Sequence, residues 1–307
     1  MKLAVVGAGA MGGALAVEAA RAGHAVHVVD VSAELVGRVN EKGLRVHAGD
    51  SVITGHLTAT TEPSSVGVVD VVVVFVKAQH TQSAAKSVEQ LRGDDTVIAT
   101  LQNGWGNADV LASELGPDNL VFGVTYNSCS VLELGVVHHS GRGDTFVGPY
   151  DANAGLGPAE TAGELLRTSG WATTVSPSIR AEIWKKLVLN CATLPTSALT
   201  GLTIGALGRS EPMMPIVEGL AEETTAVARA LGLDIDPAER IARIRAMLAN
   251  GGPGKASMLQ DVEARRKTEI EVINAAVVRA AEKTPVPTPL NNLMVGLVAG
   301  LEASWRT

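Results

Sequence analysis

The stretch that most constrains the fold is the first thirty residues, MKLAVVGAGAMGGALAVEAARAGHAVHVVD. Leu3 to Val6 reads as a buried parallel strand, broken at Gly7, Gly9 and Gly12, and a helix pattern follows from Met11 to Ala22. Gly23 ends that helix, and a second apolar run, Ala25 to Val29, closes on Asp30. A G-x-G-x-x-G that follows a strand, opens a helix and has an acid about twenty residues on predicts dinucleotide binding. In that reading Gly7 allows a tight turn, Gly9 lets backbone N–H groups approach a pyrophosphate, and Gly12 lets the helix pack closely. The helix N-terminus, at Ala10 and Met11, then offers orphan donors and a positive dipole end to the phosphates.

Composition narrows the class. A chain of 307 residues favours two domains. Hydrophobic content of 46% against 19% charged residues supports a large core, and 3% aromatics makes that core mostly Val, Ala and Leu. The net charge of −7, with no long Lys/Arg block, argues against a nucleic-acid partner. Cys129 and Cys191 have no metal spacing and form no framework, so no metal site is expected and a reducing compartment is the default. The apolar run Val66 to Val76 is interrupted by Asp70 and too short to span a bilayer. No charged n-region precedes the first strand, so a cytoplasmic protein without membrane partners is expected.

Strand and helix patterns alternate from residue 1 to about 175. Ser32 to Gly43 reads as a helix, and LRVHAG and HLTATTEP as short extended segments. VVDVVVVFVKA is a Val-rich strand expected to end at Lys77, and TVIATLQNG another ending at Gln102, Asn103 and Gly104. Val136 to His139 and Thr145 to Val147 look like a hairpin around Gly141-Arg142-Gly143, with His138 and His139 at its surface. From Ser178 onward no strand pattern appears. A long helix interrupted at Pro195 is expected, then helices over Met214 to Leu231, Pro237 to Asn250, Ser257 to Glu263 and Thr268 to Lys283, with a mobile link at Gly251 to Gly254. The fold class is α/β: an N-terminal Rossmann-type parallel-sheet domain, residues 1–175, and a C-terminal all-helical domain, residues 176–307. Ligand is expected between them, outside the carboxyl ends of the strands.

Polar residues in this frame are the candidates for chemistry. Lys77 and Asn103 close strands, and on position alone each is as readily a solvated end or a turn former. Lys186 and Asn190 lie four residues apart on one face of an apolar helix, where a ligand would supply partners, although Lys185 and Lys186 could equally snorkel to solvent. Ser257 has the spacing of an N-cap with Gln260 as its capping box. Glu269 precedes an apolar helix pattern and is either a paired structural acid or a site group. Cys191 reads as a small core residue.

These clusters resemble the ketopantoate reductase (2-dehydropantoate 2-reductase) family, within the 6-phosphogluconate dehydrogenase C-terminal-domain-like superfamily, and the likeness runs almost end to end. It rests on GAGAMG at 7–12, Val76-Lys77-Ala78, Leu101-Gln102-Asn103-Gly104, Trp184-x-Lys186-Leu187 with Asn190, Ser257-Met258-Leu259-Gln260-Asp261, Thr268-Glu269-Ile270, Ile273-Asn274 and Val286-Pro287-Thr288-Pro289. SMLQD with TEI eleven residues after the Ser is the most particular of these. The resemblance implies NAD(P)H-dependent hydride transfer to the C2 ketone of a branched 2-oxo acid, ketopantoate to pantoate in the first instance. By position, Lys186 would be the general acid and Glu269 would bind substrate and position Lys186. Ser257 would bind the carboxylate, Asn103 and Asn190 would orient the ketone and side chain, and Lys77, with Asn103, would lie near the nicotinamide.

Two departures matter. Members that make pantoate commonly carry a second Asn four residues after the one matching Asn190. Here Leu194 stands there and suits an apolar substrate arm. NADPH users typically have a basic residue just after the second strand, whereas this chain has Asp30, Val31 and Ser32. A carboxylate accepts from a ribose 2′-hydroxyl and repels a phosphate, so NAD(H) is favoured, with NADP(H) the family's usual alternative. The rivals are an NAD-dependent D-2-hydroxyacid dehydrogenase, mandelate-like or branched-chain, and a non-catalytic NAD(P) sensor. Apolar faces in the helical half make a homodimer plausible.

Overall fold

A computed structural model describes residues 1–306. The chain forms two compact units, one of residues 1–102 with 107–179, the other of residues 103–106 with 180–307. In the first unit, β1 (Lys2–Val6), α1 (Ala10–Arg21), β2 (Ala25–Val29) and α2 (Ala33–Lys42) run as expected, with Ser32 Oγ accepting from Leu35 N–H as the cap of α2. Then follow β3 (Leu44–Ala48), β4 (Ser51–Gly55), β5 (Thr58–Thr60), β6 (Val71–Val74), α3 (Thr81–Glu89), β7 (Val97–Thr100) and α4 (Asn107–Leu115). β8 (Leu120–Thr125), β9 (Ser128–Glu133), β10 (Val136–Gly141), β11 (Thr145–Pro149), α5 (Gly157–Thr168) and β12 (Thr173–Val175) complete it.

The eight-stranded sheet has the order β12-β11-β8-β7-β6-β1-β2-β5. It is parallel from β5 to β8, and β11 runs antiparallel to β8. Period-two alternation divides its side chains between two cores. Leu3, Val5, Val71, Val73, Val97 and Ala99 join α1 and α5 on one face, while Ala4, Val6, Val72, Val74 and Ile98 meet α3 and α4 on the other. A parallel sheet covered on both faces is the reason its strands read as unbroken Val runs.

Three expectations in this unit are corrected. The Val-rich strand stops at Val74 and not at Lys77, because β1 turns away at Gly7 and the last bond toward it is Phe75 N–H to Val6 O, 2.9 Å. The expected hairpin does not form. β11 sits in the large sheet between β8 and β12, and β10 pairs instead with β9 and β3 in a second, four-stranded sheet of order β4-β3-β10-β9. The turn between β9 and β10 falls at Gly135, whose φ is 75°. His139 is consequently buried rather than exposed. Its Nδ1 faces Glu18 Oε1 at 3.2 Å and its Nε2 faces Asn127 Oδ1 at 3.1 Å. Glu18 also accepts from Trp171 Nε1 and an Arg142 guanidinium nitrogen, both at 2.6 Å, so a buried polar knot ties α1 to both sheets.

The second unit is helical among its described residues: α6 (Ile179–Thr200, beginning one residue inside the first unit), α7 (Ile204–Gly208), α8 (Met214–Ala230), α9 (Pro237–Ala249), α10 (Ser257–Glu263), α11 (Asn274–Ala281) and α12 (Pro289–Ala303). α6 is not interrupted at Pro195. The proline lacks the N–H that would bond Cys191 O, and Asn274 Nδ2 donates to that carbonyl instead, at 3.1 Å. Asn274 also donates to Asn291 Oδ1 at 3.0 Å, and Asn291 donates to Glu223, whose carboxylate caps the start of α12 through Leu290 and Asn291 N–H. The expected helix over Thr268 to Lys283 begins only at Asn274. A 3-10 turn at Ile270–Val272 precedes it, so Glu269 lies outside the helix. The glycine link is tied by Gly205 N–H to Gly252 O and Ile204 N–H to Gly254 O. No helix among the described residues is long and apolar enough to cross a membrane.

Candidate functional site

The candidate site has one set of residues in each unit. In the first, Gly7 has φ 94° and its N–H bonds Val29 O at 2.9 Å. A Cβ there would lie 2.9 Å from Val76 N. At Gly12 a Cβ would overlap the Gly7 carbonyl oxygen, so the first turn of α1 rests on the Gly-rich turn itself. Gly9 differs: a Cβ there would meet nothing within 4 Å. Packing within the protein does not explain that glycine, and a phosphate group approaching the backbone does. No side chain caps α1, and its first internal bond is Gly13 N–H to Gly9 O at 2.8 Å, which leaves the preceding N–H groups of Ala10, Met11 and Gly12 as terminal donors. The turn therefore fits a dinucleotide pyrophosphate.

Asp30 stands at the end of β2. One carboxylate oxygen accepts from Ala8 N–H and the other from Ser32 N–H, each at 2.9 Å. This fixes the carboxylate beside the Gly-rich turn. Lys77, partly buried, lies in the bend after β6, and its carbonyl accepts from His80 N–H at 2.8 Å.

In the helical unit, Lys186 Nζ donates to Asn103 Oδ1 at 2.8 Å. Burial pulls the Lys186 ammonium down to about 8, while the negative charge of Glu269 acts in the opposite direction. Glu269 is itself buried, in the short stretch between Thr268, which donates to Glu302 through N–H and hydroxyl, and the 3-10 turn. Lys186 is thus not a snorkelling lysine, whereas its neighbour Lys185 pairs with Glu182 at 2.8 Å. Asn190, one turn on, is buried. Leu194, one turn further, belongs to the apolar cluster of Trp184, Leu187, Cys191, Ile270 and Ile273.

Ser257 departs from expectation. It is the first residue of α10 and exposed, the cap position is Ala256, and no side-chain cap bond forms. Gln260 reaches back to Lys255 O at 2.9 Å rather than closing a capping box. Within the same motif Met258 and Leu259 are core, and buried Asp261 holds Arg266 at 3.1 Å.

Residues 103–106 carry a contribution that sequence reasoning missed. Trp105 N–H donates to Val272 O at 2.7 Å, and the Trp105 ring packs 5.6 Å from that of Trp184. Asn-Gly signals a turn in the sequence, but its partner lies far along the chain, where no local pattern points to it.

The fold agrees with the comparisons to known proteins. Family models described as "Ketopantoate reductase PanE/ApbA" and "Ketopantoate reductase PanE/ApbA C terminal" match residues 3–152 and 178–302. A 2-dehydropantoate 2-reductase of Halobacterium salinarum is 32% identical over 97% of this chain and 98% of its own. The chain belongs to the ketopantoate reductase family. Family members are nicotinamide-dependent oxidoreductases, and this chain is one of them. A ketopantoate reductase structure from Ralstonia eutropha JMP134 is 31% identical, with all of both chains covered and a TM-score of 0.89. A D-mandelate dehydrogenase solved with NADH and anilino(oxo)acetate is 25% identical, likewise fully covered, with a TM-score of 0.94.

Proposed function

We propose that this reductase converts a branched 2-oxo acid to the D-2-hydroxy acid, ketopantoate to pantoate in the first instance, with Lys186 as proton donor. The observation that carries the reading is the buried Lys186 ammonium, bonded to Asn103 and titrating at about 8. A general acid works best when its pKa lies near the operating pH. The bound nicotinamide supplies the hydride. Lys186 Nζ gives a proton to the oxygen that becomes the hydroxyl, and its positive charge stabilises the alkoxide as it develops. Glu269 binds substrate and holds Lys186, Asn103 and Asn190 orient the ketone and side chain, and Ser257 binds the carboxylate. Asn190 supports this role because it is buried and lies one helical turn from Lys186 on α6.

For the nucleotide, Gly7, Gly9, Ala10, Met11 and Gly12 would hold the pyrophosphate, Lys77 and Asn103 would serve the nicotinamide end, and Asp30 would accept from the ribose 2′-hydroxyl. The Asp30 carboxylate favours NADH over NADPH. One observation favours a second reading: Leu194 carries an apolar side chain among apolar neighbours, one turn beyond Asn190. This would suit a substrate with an apolar arm, as in a D-2-hydroxyacid dehydrogenase of the mandelate type. A homodimer formed through the helical unit is the assembly we propose, and a monomer mass in light scattering would remove it.

The test is a panel of ketopantoate, 2-oxoisovalerate and benzoylformate, each assayed with NADH and NADPH. The highest kcat/KM is expected for ketopantoate with NADH. A lead for benzoylformate would favour the second reading. Tight nucleotide binding without turnover of any 2-oxo acid would return the protein to a sensor.

A further inference from the structure

Residues Asn103 to Gly106 follow β7, yet they pack within the helical unit. Their attachment is specific. Gly104 has φ 87°, and a Cβ there would overlap the Val272 carbonyl oxygen and lie 2.7 Å from Val272 Cγ2. The next residue, Trp105, donates its N–H to that same carbonyl at 2.7 Å. Its ring packs on Trp184, two residues before Lys186 on α6, with Arg180 5.7 Å above the ring centre. Val272 in turn donates its own N–H to Glu269 O at 3.1 Å, closing the 3-10 turn that follows the acid.

These bonds make a closed loop. From Lys186 Nζ it runs to Asn103, through Gly104 and Trp105 to Val272, back to Glu269, and by charge to Lys186. Asn103 and Glu269, which both bear on the ammonium, hang from the two strands of backbone joined at Val272 O. We infer that Gly104 and the Trp105–Val272 bond form a clamp that holds Asn103 and Glu269 in register with Lys186, which makes Gly104 a positioning residue for the reaction. The inference rests on the proposed role of Lys186, and it adds that the proton donor is tuned by a backbone contact between two distant segments.

The clamp has a consequence that plain folding support lacks. An acceptor on the ammonium favours the charged form, and losing it lowers the lysine's pKa. Reduction needs that charged form, so its rate falls as pH rises through the Lys186 pKa. Gly104→Ala cannot keep both its backbone conformation and the contact with Val272, so Asn103 moves away from Lys186.

The experiment compares wild type, Gly104→Ala, Asn103→Ala and Trp105→Ala, each checked for folding by circular dichroism. The readouts are the pH profile of 2-oxo-acid reduction and an NMR titration of the lysine ammonium groups, with Lys186 identified by its absence in Lys186→Arg. Gly104→Ala is expected to lower kcat about tenfold with nucleotide affinity unchanged. Its basic limb and its Lys186 titration should both move to lower pH. Asn103→Ala should give the same displacement, whereas Trp105→Ala, which keeps the N–H, should leave the limb in place. A folded Gly104→Ala with an unmoved limb and titration would overturn the clamp. If Gly104→Ala fails to fold, Trp105→Pro carries the test: it deletes the donor together with the ring, and comparison with Trp105→Ala, which loses the ring alone, isolates the donor. An unmoved titration in Asn103→Ala overturns the clamp in any case, because Asn103 is the arm through which it acts. The NMR titration does not depend on turnover, so an enzyme inactive on every 2-oxo acid would fail the functional proposal without deciding the clamp.

Discussion

The two units present their candidate functional groups by opposite means. In the first, the groups offered to a ligand are backbone N–H donors at the start of α1, and the side chains that matter are absent ones at Gly7, Gly9 and Gly12. In the helical unit they are side chains: Lys186, Asn190 and Glu269, each buried or partly buried. A backbone site needs only a turn of the right shape, which a local sequence can specify. A side-chain site in a low-dielectric setting needs partners delivered from distant segments, since an unpartnered buried charge is costly.

That contrast can be broken experimentally. The largest effect is expected at Lys186: Lys186→Ala should lower kcat by about 10²–10⁴, the range for loss of a general acid, with nucleotide affinity by fluorescence titration unchanged. Next is Gly12→Ala, where the added methyl meets the Gly7 carbonyl oxygen. Relief requires shifting α1, which should cost about 1–3 kcal/mol in denaturant unfolding and weaken nucleotide binding. The matching change in the helical unit is Asn274→Ala, which strips Cys191 O of its donor at the Pro195 position. It should cost about 1–3 kcal/mol, and the double variant with Pro195→Ala should recover part of that by restoring the helical N–H. Asp30→Ser should lower the preference for NADH over NADPH, read as the ratio of kcat/KM values, by about tenfold or less.

The smallest effect concerns Glu18. Burial pushes its carboxyl up, but bonds from His139 and Trp171 and the charges of His139 and Arg142 outweigh this and hold it below the ordinary value. A group with a depressed native pKa contributes stability above its unfolded pKa and loses it as pH falls through the native value. Melting temperature should therefore fall on acidification through the carboxylate range, and less steeply in Glu18→Gln.

The same contrast explains what could be read in advance. The strand–turn–helix of residues 2 to 21, the covered parallel strands and most of the long helices follow from period and punctuation, although β6 and β7 end short of the expected Lys77 and Gln102, at Val74 and Thr100. The hairpin at Gly141 failed because β11 and β10 find partners in different sheets, a choice that depends on β9 and β8 and not on the turn. Pro195 could not be judged locally, since the donor that replaces its missing bond, Asn274, arrives from another helix. His139 looked like a surface residue for the same reason: its partner Glu18 lies on α1. At the candidate site, Lys186 and Asn190 could be placed on one helix face, but position alone left a snorkelling lysine equally open. The bond to Asn103, whose segment is held at Val272, is what distinguishes the two.

The central claim is that Lys186, depressed by burial and held by Asn103, supplies the proton. The most direct measurement is kcat/KM for reduction of the preferred 2-oxo acid as a function of pH, which reports ionisations of the free enzyme and substrate. The account predicts activity that is retained below neutrality's upper edge and falls on the alkaline side with a midpoint near the Lys186 pKa of about 8. A rate that stays level through the pH range of an ordinary lysine would contradict it.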